Sequence, residues 1–327
     1  MNKLKKVGLT ALAGSLVATS VYAGELSVSG SASITLANQD KLNKGNGFTM
    51  TDSVVFSGSG EMDNGWVVSA SFELDQGAAD TKTGATAAGP FDSHSFSVNM
   101  GDMGTITFSG HGGSSALSAV DDMTPTANNE AWDVGSTTHG GTASGGALEG
   151  AGNDNSFYYS NSGLVDGLSI AASYMPSDGT VVESTTSFAV AYSGVEGLTV
   201  GYAIDENGLL GTSAIDYDTY YVKYAYGPIT AGYQKTSQDA AAANDDDEFT
   251  AIGVSYQITE DFAISYNEAE LDNDNSATDE EHQAINFSYT MGGMTVAGTK
   301  WERTNSGLGT ATTDDVEGME LSVSFAF

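Results

Sequence analysis

Carboxylates dominate the chemistry on offer in this chain, with 43 Asp and Glu against 10 Lys and Arg and no cysteine at all. They gather in runs, "AVDDM" at 119–123, "NDDDE" at 244–248 and "LDNDNSATDEE" at 271–281. Oxygen-rich runs can bridge Ca²⁺, but "DNDNSATDEEHQ" (272–283) is no EF-hand: Ala277 stands where the loop glycine belongs and Gln283 where the bidentate Glu belongs. Solvated loop segments are the plainer reading of these runs, and a calcium site would have to be assembled across loops. No other cofactor is expected. The missing thiols remove disulfide frameworks and thiolate metal centres. Four histidines, His94, His111, His139 and His282, fall in no nucleophile or metal motif, so nothing at the level of motifs supports an enzyme.

Before these groups can be placed, the first residues must be set aside. "MNKLKKVGLTALAGSLVATSVYA" has a basic start (Lys3, Lys5, Lys6), a short apolar stretch from Val7 to Val17 and a small-residue end, the three parts of an export signal cleaved after Ala23. The apolar stretch is too short for a spanning helix, which takes about 20 residues. Residues 24–327 then form the mature domain. Without the three leader lysines, seven basic residues face 43 acidic ones, a net side-chain charge of −36. Such a chain repels phosphate backbones, which excludes nucleic acid as a partner, and it concentrates cations.

Alternation positions the charges. In "ELSVSGSASITLA" Leu26, Val28, Ala32, Ile34 and Leu36 share one face while Ser27, Ser29, Ser31, Ser33 and Thr35 share the other, the period of a strand with one greasy and one wet side. The pattern recurs from "WVVSASFELD" (66–75) to "ELSVSFAF" (320–327), in about sixteen stretches of a length that crosses a bilayer when tilted. Connectors alternate as well. Seven are short (61–65, 101–104, 161–167, 193–197, 227–228, 257–261, 290–293). Eight are long and polar (37–47, 77–91, 112–155, 176–184, 205–215, 238–248, 271–282, 304–315). An all-β, even-stranded transmembrane antiparallel barrel with tight turns at one rim and long loops at the other gives this rhythm. A soluble sandwich would keep its aromatics mid-strand, whereas Trp66, Tyr192, Tyr226, Phe262, Tyr289 and Phe327 sit at or near strand ends, as membrane girdles do. A β-solenoid would show a fixed short repeat, and none is present.

The stretches "MDNGWVVSASFELD" (62–75), "MGDMGTITFSGHGGSSALSAVDD" (100–122), "NDNSFYYSNSGLVDGLSIAASY" (153–174) and the terminal "FAF" resemble the sixteen-stranded trimeric porins of Gram-negative outer membranes, most closely those of Rhodobacter-like alphaproteobacteria. The order of the pieces over the whole mature chain carries the resemblance. It implies a homotrimer in outer-membrane lipid and lipopolysaccharide, inserted by machinery that reads an aromatic end such as Phe325 and Phe327. It further implies passive diffusion of small hydrophilic solutes, and a third loop, here 112–155, folded into the lumen as a constriction.

In the resembled family, acidic residues on that loop face basic residues on the wall. Here the acidic half has Asp121, Asp122, Glu130, Asp133 and Glu149, and "ALSAVDDM" (116–123) has helical character before Pro125. Alternation turns Glu73, Asp75, Asp205 and Lys223 inward, with Arg303 near a loop end as the other basic candidate, so the expected lining is net negative and the channel cation-preferring. A substrate-specific channel is the alternative; Tyr158, Tyr221 and Trp301 are inward-facing candidates for it, without forming a ladder.

Overall fold

The computed structural model describes residues 26–39, 45–75, 91–120, 122–134, 154–177, 183–206, 215–241, 246–306 and 315–327. The first half of the barrel comprises β1 (Leu26–Gln39), β2 (Gly45–Glu61), β3 (Val67–Asp75), β4 (Ser93–Asn99), β5 (Thr105–His111), β6 (Ser156–Val165), β7 (Leu168–Met175) and β8 (Thr185–Val195). The second half comprises β9 (Leu198–Glu206), β10 (Ile215–Tyr226), β11 (Ile229–Ala240), β12 (Asp247–Thr259), β13 (Phe262–Asn273), β14 (Glu280–Met291), β15 (Met294–Thr304) and β16 (Val316–Ala326). Each strand pairs antiparallel with its neighbours in the chain, and β16 returns to β1, closing the sheet as the alternation leads one to expect. Across that seam Ala32, Ile34 and Leu36 meet Phe325, Val323 and Leu321, and Gly30 and Phe327 exchange two N–H···O bonds of 3.0 Å. Closure leaves no row of unpaired backbone groups, the condition a sheet must meet in hydrocarbon.

Tight turns need backbone that bulky residues resist. Gly197 takes φ 74, and a Cβ there would lie 2.3 Å from the Ala225 carbonyl oxygen, so the Glu196-Gly197 hairpin admits glycine alone. At the other rim several strands outrun the connectors expected of them: β1 continues to Gln39, β11 to Ala240 and β13 to Asn273, while β14 starts at Glu280. The acidic run 271–281 is therefore not simply solvated loop. It covers the ends of two strands, with Asp272 and Glu281 exposed on the outer face and Leu271 and Glu280 buried on the inner.

The outer wall is apolar and has two chemically distinct arcs. Every tyrosine after Tyr22 lies between Tyr158 and Tyr289, on β6 to β14, and most of them point outward. The contiguous remainder, β15, β16 and β1–β5, exposes phenylalanine and aliphatic groups instead, among them Phe48, Phe56, Phe72, Phe96 and Phe325. Carboxylates interrupt that arc in two places: Glu302 of β15 and Glu317 of β16 face each other, exposed, near the long-loop rim, and Asp52 lies on β2. Asp52 of β2 shares the outward side with Met50 and Val54, opposite Ala32, and its Oδ1 is buried without a hydrogen-bond partner among the described residues.

Candidate functional site

Inside the barrel, the segment after β5 crosses the lumen from one wall to the other. It begins on β7 and β8, where the Ala116 N–H donates to Ser187 Oγ at 3.0 Å and Ser173 Oγ at 3.2 Å, and Leu117 is fully buried against Ala189, Ala203 and Tyr221. Residues 116–120 form turns and no helix, contrary to the composition of "ALSAVDDM", with the Val120 N–H donating to the Leu117 carbonyl at 2.9 Å. Farther on, the Met123 N–H donates to Gln234 Oε1 of β11 at 2.7 Å.

Pro125 then presses on the wall where β11 and β12 have glycines. A Cβ at Gly232 would lie 2.6 Å from Pro125 Cδ, and one at Gly253 2.8 Å from its carbonyl oxygen. A polar circuit follows, running from loop to wall and back. Asn267 Nδ2 donates to the Pro125 carbonyl (3.1 Å), Asn286 Nδ2 to Asn267 Oδ1 (3.0 Å), Thr299 Oγ1 to Asn286 Oδ1 (2.6 Å), and Asn128 Nδ2 of the loop to Thr299 Oγ1 (2.8 Å). Every amide in it is satisfied, which is what lets such groups be buried at all.

The segment ends against β12–β16 in a second apolar cluster. Trp132, Ala131 and Val134 pack on Phe249, Ala269, Leu271 and Trp301, with the Trp132 and Phe249 rings edge to face at 5.2 Å. Arg303 Nη2 donates to the carbonyls of Trp132 (3.3 Å) and Val134 (3.2 Å), and its Nε lies 3.4 Å from Glu280 Oε1. His282 Nε2 sits 3.1 Å from the same oxygen, all three side chains buried. The inner face is thus not wet throughout. Where the loop lies on it, it is packed like a core, and the apolar inward residues Phe249, Ala251, Ala269 and Leu271 are the sequence signal for that.

Three carboxylates come together on the loop. Asp122 and Asp133 are exposed and Glu130 half-buried, with Asp122 Oδ1 accepting from Trp132 Nε1 at 3.2 Å. Burial, reinforced by repulsion from Asp122 and Asp133, pushes the Glu130 carboxyl up to about 7. Asp133 is also raised by burial, against a stabilising hydrogen bond shared with Glu130. Asp121 and Glu149 lie outside the described residues. On the wall, Glu73 and Asp75 face the lumen at the end of β3, Glu73 accepting from Ser93 Oγ at 2.9 Å, and Lys223 is half-buried on the inner side of β10. Asp205 and Arg303 point inward but neither opens to the channel: Asp205 is 1% exposed and Arg303 6%, the latter bonded to the loop carbonyls of Trp132 and Val134. Among the described residues no three Asp, Glu or His side chains are arranged to hold a metal ion. Phe325 and Phe327 stack outward at the seam, their centroids 6.2 Å apart.

A closed barrel that is apolar outside, polar within and spanned by a folded-in loop is a transmembrane channel, and it works by leaving a passage rather than by holding reacting groups. A family model described as "Gram-negative porin" matches residues 8–307. The chain belongs to the Gram-negative porin family, which makes it an outer-membrane porin channel and not an enzyme. No curated protein matches it in sequence. Among solved structures, a variant of the Rhodopseudomonas blastica porin is 14% identical with a TM-score of 0.67, and the anion-selective porin from Comamonas acidovorans 13% identical with 0.66. In each case 93% of this chain aligns with the whole of the other. At such identities the likeness concerns the fold alone.

Proposed function

We propose that the channel admits small hydrophilic solutes by passive diffusion, without a cofactor, and prefers cations. One observation carries the preference: Asp122, Glu130 and Asp133 stand together on the loop, whereas the inward basic groups among the described residues are Lys223, half-buried, and Arg303, buried beside Glu280. Opposed to so little positive charge, the carboxylates set the sign of the field, and a narrow aqueous passage with low-dielectric walls focuses it. Selectivity is not fixed by the architecture, since a structure of the same fold belongs to an anion-selective porin. The decisive measurement is the reversal potential of the purified protein in a planar bilayer under a KCl gradient. A cation-selective sign is expected, and an anion-selective one overturns the electrostatic reading.

Residues 1–23 are, in this reading, an export signal removed after Ala23. The protein assembles as a homotrimer through the arc β15, β16 and β1–β5. Tyrosine favours membrane interfaces because its ring is apolar and its hydroxyl wet, and an arc without tyrosine is suited to another protein surface. Asp52 points the same way. A carboxylate facing lipid is unfavourable, whereas between subunits it can meet a donor.

A further inference from the structure

Beneath the first part of the loop, on the side of the tight turns, lies a cavity of about 460 Å³ between residues 119–120 and the inner faces of β5–β10. That volume is typical of small-molecule sites, about 300–1,000 Å³. Its lining is of two kinds. Tyr158 presents a half-buried ring, backed by Val120, Ala171, Ala189 and the buried Tyr221, whose ring is held between Leu117 and the bare backbone of Gly201. Around this apolar floor stand short hydroxyl and amide groups, Asn99, Thr105, Ser160 and Ser169. Asp102, in the turn at the rim, is the one acidic residue of the lining, and no basic residue belongs to it.

We propose that this recess is a binding subsite for an uncharged, pyranose-type sugar passing through the channel; the proposal rests on the lumen being open. Anions are repelled by the loop carboxylates above, and Asp102 at the rim is the single counter-charge the lining offers a cation, against three on the loop. What the recess offers is a flat apolar surface ringed by hydrogen-bonding groups. A pyranose matches it, with a C–H face for the Tyr158 ring and equatorial hydroxyls for the rim. The small alanines of β7 and β8 make the room, since larger side chains at Ala171, Ala189 or Ala191 would fill the space the sugar ring needs.

Single-channel current in KCl, recorded while maltose or glucose is added from the side of the tight turns, tests this. Sorbitol, which has the hydroxyls but no ring face, serves as the control. Saturable current reduction by maltose and glucose, with sorbitol lowering current only as it lowers bulk conductivity, is the expected result. Tyr158→Ala should weaken the sugar block roughly fivefold, the scale of a lost ring contact. Ala191→Leu, which fills the cavity and leaves residue 158 a tyrosine, should abolish the block. Equal, non-saturating effects of sugars and sorbitol overturn the proposal, as does saturable block unchanged in both variants. A folded barrel that passes no current at all overturns the open-channel reading beneath it, and so the two failures are told apart.

Discussion

Glu130 gives the electrostatic reading its sharpest test. Its carboxyl is pushed up to about 7 by burial and by the neighbouring charges of Asp122 and Asp133, so it is almost fully protonated near pH 5 and almost fully ionised near pH 9. The loop cluster therefore gains one negative charge across that interval. A unit charge about 6 Å from a passing ion, at an effective permittivity of about 40, is worth about 1.4 kcal/mol. Screening with a Debye length of about 10 Å leaves about 0.8 kcal/mol. The term favours a cation and disfavours an anion equally, so the permeability ratio changes by about tenfold at the narrowest point. Reversal potentials in a KCl gradient at pH values from about 5 to 9 should show cation selectivity rising with a midpoint near 7. Glu130→Gln should hold the channel at its low-pH value throughout. A flat profile in the unmodified protein, or the same profile in Glu130→Gln, refutes the reasoning. The stability sign is opposite: a carboxyl raised from 4.5 to about 7 binds protons more tightly in the folded state. Its contribution is full below 4.5 and is lost as pH rises through about 7.

Two further substitutions probe the surroundings. Arg303→Met leaves Glu280 buried without its cation and removes both donors from the Trp132 and Val134 carbonyls. It should destabilise by about 3–5 kcal/mol in denaturant titrations and add noise to the open-channel current, and Glu280→Gln in the same chain should recover much of the loss. Asp52→Leu separates the two environments of the tyrosine-free arc. If Asp52 is paired between subunits, the temperature at which trimers dissociate on a gel should fall; a rise would mean that the side chain faces lipid.

The barrel was legible because one of its solvents is hydrocarbon. Period 2 over stretches such as Leu26–Leu36 and Leu321–Phe327 fixes both strand and face, and alternating connector lengths fix the up-and-down order. The path of the loop was less legible, because its anchors are ordinary inward residues. Gln234 and Asn267 read as wet wall, and nothing local to them says that a backbone N–H or carbonyl more than 100 positions away will be their partner. Their size among serines and threonines is the one hint. Arg303 shows the same limit from the other side. Its inward direction follows from alternation, but its burial depends on Trp132 and Val134 arriving from far along the chain.

The segment held at Ser173 and Ser187 at one end and at Arg303 and Glu320 at the other acts as a strut inside a thin-walled tube. A single-layer cylinder resists squeezing into an ellipse poorly, because each strand need only rotate slightly against its neighbours. With an internal brace running from β7 to β16, flattening must first compress two packed apolar clusters or stretch the bonds that seat them. The aperture is therefore governed by the length and anchorage of the brace more than by the circumference of the tube, and side pressure from the surrounding bilayer has little purchase on it.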